Sequence, residues 1–511
     1  MEKGGGLPPP NLYQGEIMTE ELLDEAWLRE EPQQILNRAA TFLTSANLID
    51  IRRARKLCEY VLTLDRDNAG ILFMIASTYM REGRYAFAEC WFRYALIHDP
   101  KMAPIWCNLG YCYQGEGRNE EAFKCFEKAV ELDPSEASYL NNLATNYVNN
   151  GTPDDAIERC NKALELDPVN SDALWNRSLA YLEKGMWVEG WEGYKAGLKG
   201  SEETQSSQKR KVRFYPEHKD LPYWDGKGDQ SVVVYGEQGV GDELLASSML
   251  EDAANVANLV YEAHPRLVNI MRHNFGNRFP VYGTRKISTD QVCWPMWQRI
   301  DAKIPILGLG EHFRKKDEDF PRKVYLKPFD SLVDKYKEKL AAMGDRPKIG
   351  FSWKGGGVVT RHDLRSIGLG DWTDLIKDFD ADWVSLQYDG ADRQGWNTPI
   401  VAEFEKETGL CINHWPEVVN DLDECYAGLI NALDLVISVN TSVVHACGAF
   451  GVPTWVLTPS RPAWRYNIEG EHMIWYSDHM RQIRQVDDDW DGVFKTVRER
   501  LNSWMQERAA A

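Results

Sequence analysis

The chain has 511 residues, 43% hydrophobic and 27% charged, the balance of a globular protein long enough for about three domains. Its formal net charge of −19 weighs against broad nonspecific attraction to nucleic acid or anionic lipid. No run approaches the roughly 18 uninterrupted apolar residues of a membrane span. The ten cysteines include no CxxC pair and no Cys/His group at zinc spacing, so reduced thiols, no metal and a cytoplasmic setting are expected.

In chain order, residues 1–34 open with MEKGGGLPPPNLYQGE, which has neither an apolar core nor a cleavage site and reads as a flexible lead. Over 35–200 the chain repeats itself. Asp65, Asp99, Asp133 and Asp167 recur every 34 residues, as do Gly83, Gly117, Gly151 and Gly185, and Tyr79, Tyr113, Tyr147 and Tyr181. Pro100, Pro134 and Pro168 close successive units, and small residues recur at Ala76, Gly110 and Ala144 and at Ala88, Ala122 and Ala156. This period resembles the tetratricopeptide repeat, a helical hairpin that must stack on its neighbours to bury its apolar face. A weaker unit is expected near 35–66. A degenerate one at 171–200 carries Gly190 and Gly197 where alanine is expected. Stacked repeats offer a concave surface for a protein or peptide, or serve as a spacer or oligomerisation surface.

Residues 201–230 are rich in Ser, Glu, Gln, Lys and Gly and read as a linker, with QKRKVR at 208–213 the densest basic run. From 231 short β-branched runs alternate with helical stretches: SVVVYG and NLVYEA, then, after 347, KIGFSW, DWVSLQ, DLVISV and TWVLT. Such alternation predicts parallel sheets with helical crossovers, in two blocks over 231–345 and 346–511. Two Rossmann-like halves facing a cleft would bind ligands at the carboxyl ends of their strands.

Four strand-end segments carry the chemistry. GEQGVGDE (236–243) has Gly236, Gly239 and Gly241 for a tight turn, and Asp242 at a helix start, as a cap or as a general base. It fits neither GxGxxG nor a phosphate loop ending in GK[ST]. GFSWKGGGVVTRHDLRSIGL (350–369) offers Lys354 as a point charge for a phosphate and Arg365 for a bidentate contact, or is a solvated glycine loop. SVNTSVVHACGAFGVP (438–453) turns from strand to helix. Free backbone N–H groups at Asn440, Thr441 and Ser442 make an anion site, with His445 one turn in. Trp464 and Arg465 follow a strand end and line a base or sugar pocket or pack in an aromatic cluster.

Together these motifs resemble proteins in which tetratricopeptide repeats precede a heptosyltransferase-like glycosyltransferase of the GT-B fold. GEQGVGDELL is similar to that family's Gly-Glu-Gln-Gly-x-Gly-Asp loop, GFSWKGGGVVTRHDLRSI to its Trp-x-Gly…Arg-Ser segment, DLVISVNTSVVHACGAFGVPTWVLTP…AWRY to its Ile-Ser-Val-Asp-Thr…His signature, and WYSDHMRQIRQ to its closing segment. The similarity runs over about 35–505. It implies an α superhelix of repeats followed by α/β, with an acceptor half at 231–345 and a nucleotide-sugar half at 346–511. It also implies inverting, metal-independent sugar transfer, with a nucleotide sugar as co-substrate and no bound cofactor. Asp242 then takes the acceptor proton; Gly239, Gly241, Lys354, Arg365, Ser366, Asn440, Thr441, Ser442, His445, Trp464 and Arg465 face the donor. A protein or glycan acceptor is expected, helped by the repeats. Two departures stand out: Asn440 replaces the family's Asp, and three glycines occupy 355–357 where Gly-Asn-Pro is commoner. They motivate an alternative, a repeat scaffold with a vestigial transferase domain. A third reading, a nucleic-acid base glycosyltransferase, rests on QKRKVR and the aromatic linker segment VRFYPEHKDLPYWDGKG and runs against the net charge.

Overall fold

The computed structural model describes residues 24, 26–204, 220–236, 239–283, 298–355, 363–389 and 397–510, with side chains of 196–204 left aside. The basic run at 208–213, most of the linker, and two of the glycines at 355–357 lie outside the described residues. The chain divides into two compact units. The first holds the chain through Val148 with Asp154–Asn176; the second holds Asn149–Pro153 and everything from Arg177 on.

Among the described residues, ten α-helices precede the first strand: α1 (Pro32–Leu43), α2 (Leu48–Leu62), α3 (Ala69–Arg81), α4 (Tyr85–His98), α5 (Ala103–Gly115), α6 (Asn119–Leu132), α7 (Ala137–Asn149), α8 (Pro153–Leu166), α9 (Ser171–Glu183) and α10 (Trp187–Thr204). The repeated columns have local causes. Asp99, Asp133 and Asp167 each accept a hydrogen bond from the N–H two residues on, at 3.0, 3.1 and 3.3 Å, closing the turn between units. Gly83, Gly117, Gly151 and Gly185 take φ of 73, 78, 70 and 72°, the left-handed step that ends each first helix. Ala88, Ala122 and Ala156 are fully buried between helices. Gly190 continues their column, where an added Cβ would stand 2.6 Å from the Leu182 side chain. Phe92, Phe126, Leu72, Ile75 and Leu109 join one apolar core that runs from α1 to α7, built only because neighbours stack.

The second unit carries two wholly parallel sheets. In the first, β1 (Ser231–Tyr235), β2 (Asn258–Ala263), β3 (Val281–Gly283) and β4 (Ala302–Pro305) lie in the order β3-β2-β1-β4, with Val233 opposite Val260 and Lys303. In the second, β5 (Lys348–Ser352), β6 (Asp382–Ser385), β7 (Leu435–Val439), β8 (Thr454–Thr458) and β9 (Met480–Arg484) lie in the order β6-β5-β7-β8-β9. Val232, Val233 and Val234, like Val436 and Ile437, are wholly buried, as strands covered on both faces require. The helices that position the site are α11 (Val240–Ala246), after β1, α12 (Leu250–Ala254), and α13 (Val268–Phe275), after β2. The short α14 (Gly310–Phe313) follows β4 and α15 (Asp330–Ala341) leads to β5; α16 (Thr373–Asp378) and α17 (Thr398–Thr408) flank β6. After α18 (Pro416–Val419) and α19 (Leu422–Tyr426) come β7 and α20 (Ser442–Phe450), and α21 (Trp490–Ala510) ends the described chain. No helix among the described residues is long and apolar enough to cross a membrane.

Candidate functional site

Each sheet reverses its winding direction once. The chain leaves β1 toward β2 on one side and returns to its other side with β4; it leaves β5 toward β6 and returns with β7. Loops at such a reversal diverge at the carboxyl ends of the strands and leave room between them. The segments that leave β1, β5 and β7 carry Asp242, Lys354 and Asn440.

Asp242 sits in the first turn of α11. Its Oδ2 accepts from the Gly239 N–H at 3.2 Å, so it caps its own helix, while Oδ1 pairs with the guanidinium of Arg465. Both partners are about one-seventh exposed, at 15% and 14%. The next residue, Glu243, is wholly buried; its carboxylate accepts from Tyr261 Oη at 3.2 Å and from the His264 N–H at 2.8 Å. A Cβ at Gly236 would overlap that carboxylate, which is why the loop bends at glycine. Gly241 brings α11 against α20: a Cβ there would stand 2.9 Å from His445 Cδ2 and 3.3 Å from Ser442 Cα.

On the second sheet, Gln387 fixes the end of β5. Its Oε1 accepts from the Trp353 and Lys354 N–H groups at 3.2 and 2.9 Å, and its Nε2 donates to the Lys354 carbonyl at 3.2 Å. Gly355 N–H donates to Ser366 Oγ at 3.1 Å, and Arg365 Nη1 donates to the Asn440 carbonyl at 2.9 Å. Burial pulls the Arg365 guanidinium below its ordinary value, and Arg465 nearby acts in the same sense. The Asn440 side chain is buried and accepts from Thr458 Oγ1 at 3.4 Å. A neutral amide there avoids the cost of burying a carboxylate. Thr441 caps α20 in an extended conformation, and Ser442 Oγ shares a 2.7 Å hydrogen bond with Tyr426 Oη.

His445 is placed differently from a ligand-facing imidazole. Its Nδ1 meets Tyr476 Oη at 3.0 Å and its Nε2 meets Tyr466 Oη at 3.2 Å, so one phenol donates and the other accepts. Burial pushes the imidazole down to about 4; Asp242 opposes this while Arg465 and Arg365 add to it, so the ring is neutral. Burial also pushes both phenols up. Tyr325 stacks on Tyr476 with ring centroids 6.4 Å apart and donates to the Leu244 carbonyl of α11 at 3.0 Å. The chain of rings thus ties α20 to α11. Trp464 is buried among Trp191, at 5.6 Å, and Trp475, at 6.1 Å, so it packs rather than lining an opening.

Asp242, Arg365, Arg465 and His445 influence one another electrostatically, with Asn440, Ser442 and the Lys354 backbone alongside. Sequence reasoning missed Glu243, Gln387, Tyr325, Tyr426, Tyr466 and Tyr476. The tyrosines at 466 and 476 stand beside residues already singled out, in WRY and WYSDH, but nothing local marks them as partners of one histidine. The cluster presents one carboxylate beside two guanidinium groups and a helix N-terminus, an arrangement suited to an anion and to proton removal.

Residues 103–136 and 141–189 match the tetratricopeptide repeat family. The chain is 25% identical to Protein FlbA of Caulobacter vibrioides over 354 residues, which are 65% of this chain and 54% of that protein. The chain thus spans about half the length of that curated relative. Among solved structures it is similar to MamA, at 25% identity and TM-score 0.28 over 30% of this chain and 91% of that one. It is also similar to PilF of Pseudomonas aeruginosa, at 19% identity and TM-score 0.31 over 33% and 76%. The helical region is therefore a tetratricopeptide array, an architecture that binds proteins.

Proposed function

We propose that the second unit is a GT-B-type glycosyltransferase that moves a sugar from a nucleotide-sugar donor to a hydroxyl of a protein or glycan, with the repeats holding the acceptor, in the cytoplasm. The supporting observation is the meeting of Asp242 with Arg465 and Arg365 where α11 and α20 touch. In this scheme the acceptor oxygen attacks the anomeric carbon as its proton passes to Asp242 and the bond to the diphosphate breaks. The departing nucleoside diphosphate takes its negative charge to Arg365, Arg465, Lys354 and the N-terminal N–H groups of α20. An arginine that serves both carboxylate and phosphate keeps the base oriented until the donor is seated. The neutral His445, held by two tyrosines, adds no competing charge beneath the site.

Calorimetry of the full chain with UDP-, ADP- and GDP-sugars, with a CMP-sugar as the monophosphate comparison, tests this. Binding of one donor is expected, with Asp242→Ala retaining it while losing about 100-fold or more in transfer. The reading fails if no donor binds and Asp242→Ala leaves every activity in a broad acceptor screen unchanged.

The family matches fall only within the repeats, which favours one second reading: a repeat scaffold whose sheet unit turns over no donor. Donor turnover by the full chain decides against it.

A further inference from the structure

We propose that Trp191, on α10, is a positioning residue that sets Arg465 against Asp242 through Trp464; what the pair then does rests on the transferase reading above. Helix α10 falls in the second unit, with the sheets. Its residues Trp187, Trp191 and Tyr194 are buried, Trp191 to 1%.

The Trp191 indole engages elements of both sheets. Its Nε1–H donates to the Arg314 carbonyl at 2.8 Å, just past α14. The ring fills the space above Gly310, where any Cβ would overlap it. Arg314 in turn donates to the Ser248 carbonyl at 3.1 Å and to Asp252 at 2.9 Å, the segment that continues α11. One side of Trp191 is therefore tied to the segment that follows directly on α11, the helix whose first turn holds Asp242. Its other side meets the Trp464 ring edge-on, at 5.6 Å and 87°. Trp464 is the neighbour of Arg465, whose guanidinium lies 4.9 Å from the Trp464 ring centroid. Trp187 extends the brace: its ring meets Phe320 at a 52° tilt, 4.7 Å between centroids, and Phe320 meets Trp475 at 4.7 Å, next to Trp464.

A rigid, fully buried indole with a satisfied N–H cannot shift without opening a void. The turn at 463–466 and the C-terminal end of α11 are thus held at one separation by Trp191, acting through Trp464 on one side and Arg314 on the other. Because a charged pair loses its geometry with displacements of about 1 Å, loss of Trp191 is read at the pair. The helix after the repeats is then part of the site's framework, and not a spacer between two functions.

Hydrogen exchange on the full chain tests the coupling without any ligand. Trp191→Leu is expected to speed exchange about tenfold or more in both 239–246 and 463–470. Trp191→Phe, which keeps a ring against Trp464, is expected to restore most of the protection, and Ile97→Ala, 62% exposed on α4, to change neither segment. Calorimetry with UDP, ADP and GDP adds the second readout. Trp191→Leu is expected to weaken the bound nucleotide about tenfold, and adding Arg465→Ala to it to cost no more than Arg465→Ala alone. Wild-type exchange in both segments of Trp191→Leu overturns the proposal, as do losses that simply multiply in the double variant. If the wild type binds none of the three nucleotides, exchange alone decides the role of Trp191, and the donor titrations with the Asp242→Ala screen decide the transferase reading separately.

Discussion

The repeats and the sheet unit bury charge in opposite ways. In the repeats, Arg55 is 3% exposed, yet every partner comes from the adjacent hairpin: Glu82, Thr78 Oγ1 at 2.9 Å and the Tyr79 ring at 3.7 Å. The group is a local staple between neighbours, complete within one period. In the sheet unit, Asp242, Arg365, His445 and Arg465 come from four separate segments of the chain and converge on one place. A staple needs only its nearest neighbour. A convergent cluster of charge is held by the whole unit, and such clusters mark sites where charge is used.

The comparison is broken most directly in the repeat core. Phe126 is 1% exposed and lies against Gly110. Phe126→Ala is expected to destabilise the array by about 3–5 kcal/mol. If the array's stability is a sum over neighbours, amides of α4–α7 lose hydrogen-exchange protection while those of β5, β7 and β8 keep theirs. Equal loss in both regions would show a single cooperative body and end the comparison.

Legibility follows the same division. The repeat columns are readable because each physical cause, such as the Asp that closes a turn or the left-handed Gly, occurs several times at one spacing. β1, β2, β5, β6, β7 and β8 are readable as short β-branched and aromatic runs. β3 is three residues long, β4 carries the buried Lys303 and ends in Pro305, and β9 reads Met-Arg-Gln-Ile-Arg, so their neighbours rather than their composition make them strands. At the site, Asp242, Lys354, Arg365 and Asn440 are readable because a loop after a buried strand is where a parallel sheet exposes its backbone. The environment of His445 is not. Its partners Tyr466 and Tyr476 arrive through the path after β8, and tertiary packing turns an apparent ligand residue into a neutral tie between helices.

That tie gives the sheet unit a pH dependence. His445 is held neutral down to about 4 when folded, against an ordinary 6.5. Above 6.5 neither state gains a proton there and its contribution is fully present. As pH falls toward 4 the unfolded chain takes the proton first, so stability is lost through that window. The loss is expected to be about 2–4 kcal/mol. Urea unfolding of wild type and His445→Gln at about pH 7 and pH 4 measures it, since Gln keeps a donor and an acceptor without titrating. An identical pH slope in the two proteins would place the imidazole in water and dissolve the tie.

The smallest effect separates the regions most cleanly, because the same substitution is made in each. Gly110 lets α5 approach Phe126, where a Cβ would stand 2.7 Å from the ring; Gly241 lets α11 approach α20, 2.9 Å from His445 Cδ2 and 3.3 Å from the Ser442 backbone. Each Gly→Ala change overpacks one contact and is expected to cost about 1–3 kcal/mol in unfolding by urea. The stability losses are expected to be alike, but the consequences are not. Gly110→Ala strains a staple between neighbours and leaves nucleotide affinity as it was. Gly241→Ala pushes α11 away from α20, which carries Asp242 off Arg465, and is expected to weaken the nucleotide that the wild type binds by about tenfold. Should Gly110→Ala weaken that nucleotide equally, the site would be drawing its geometry from the repeat core too, and convergence would not be confined to the sheets.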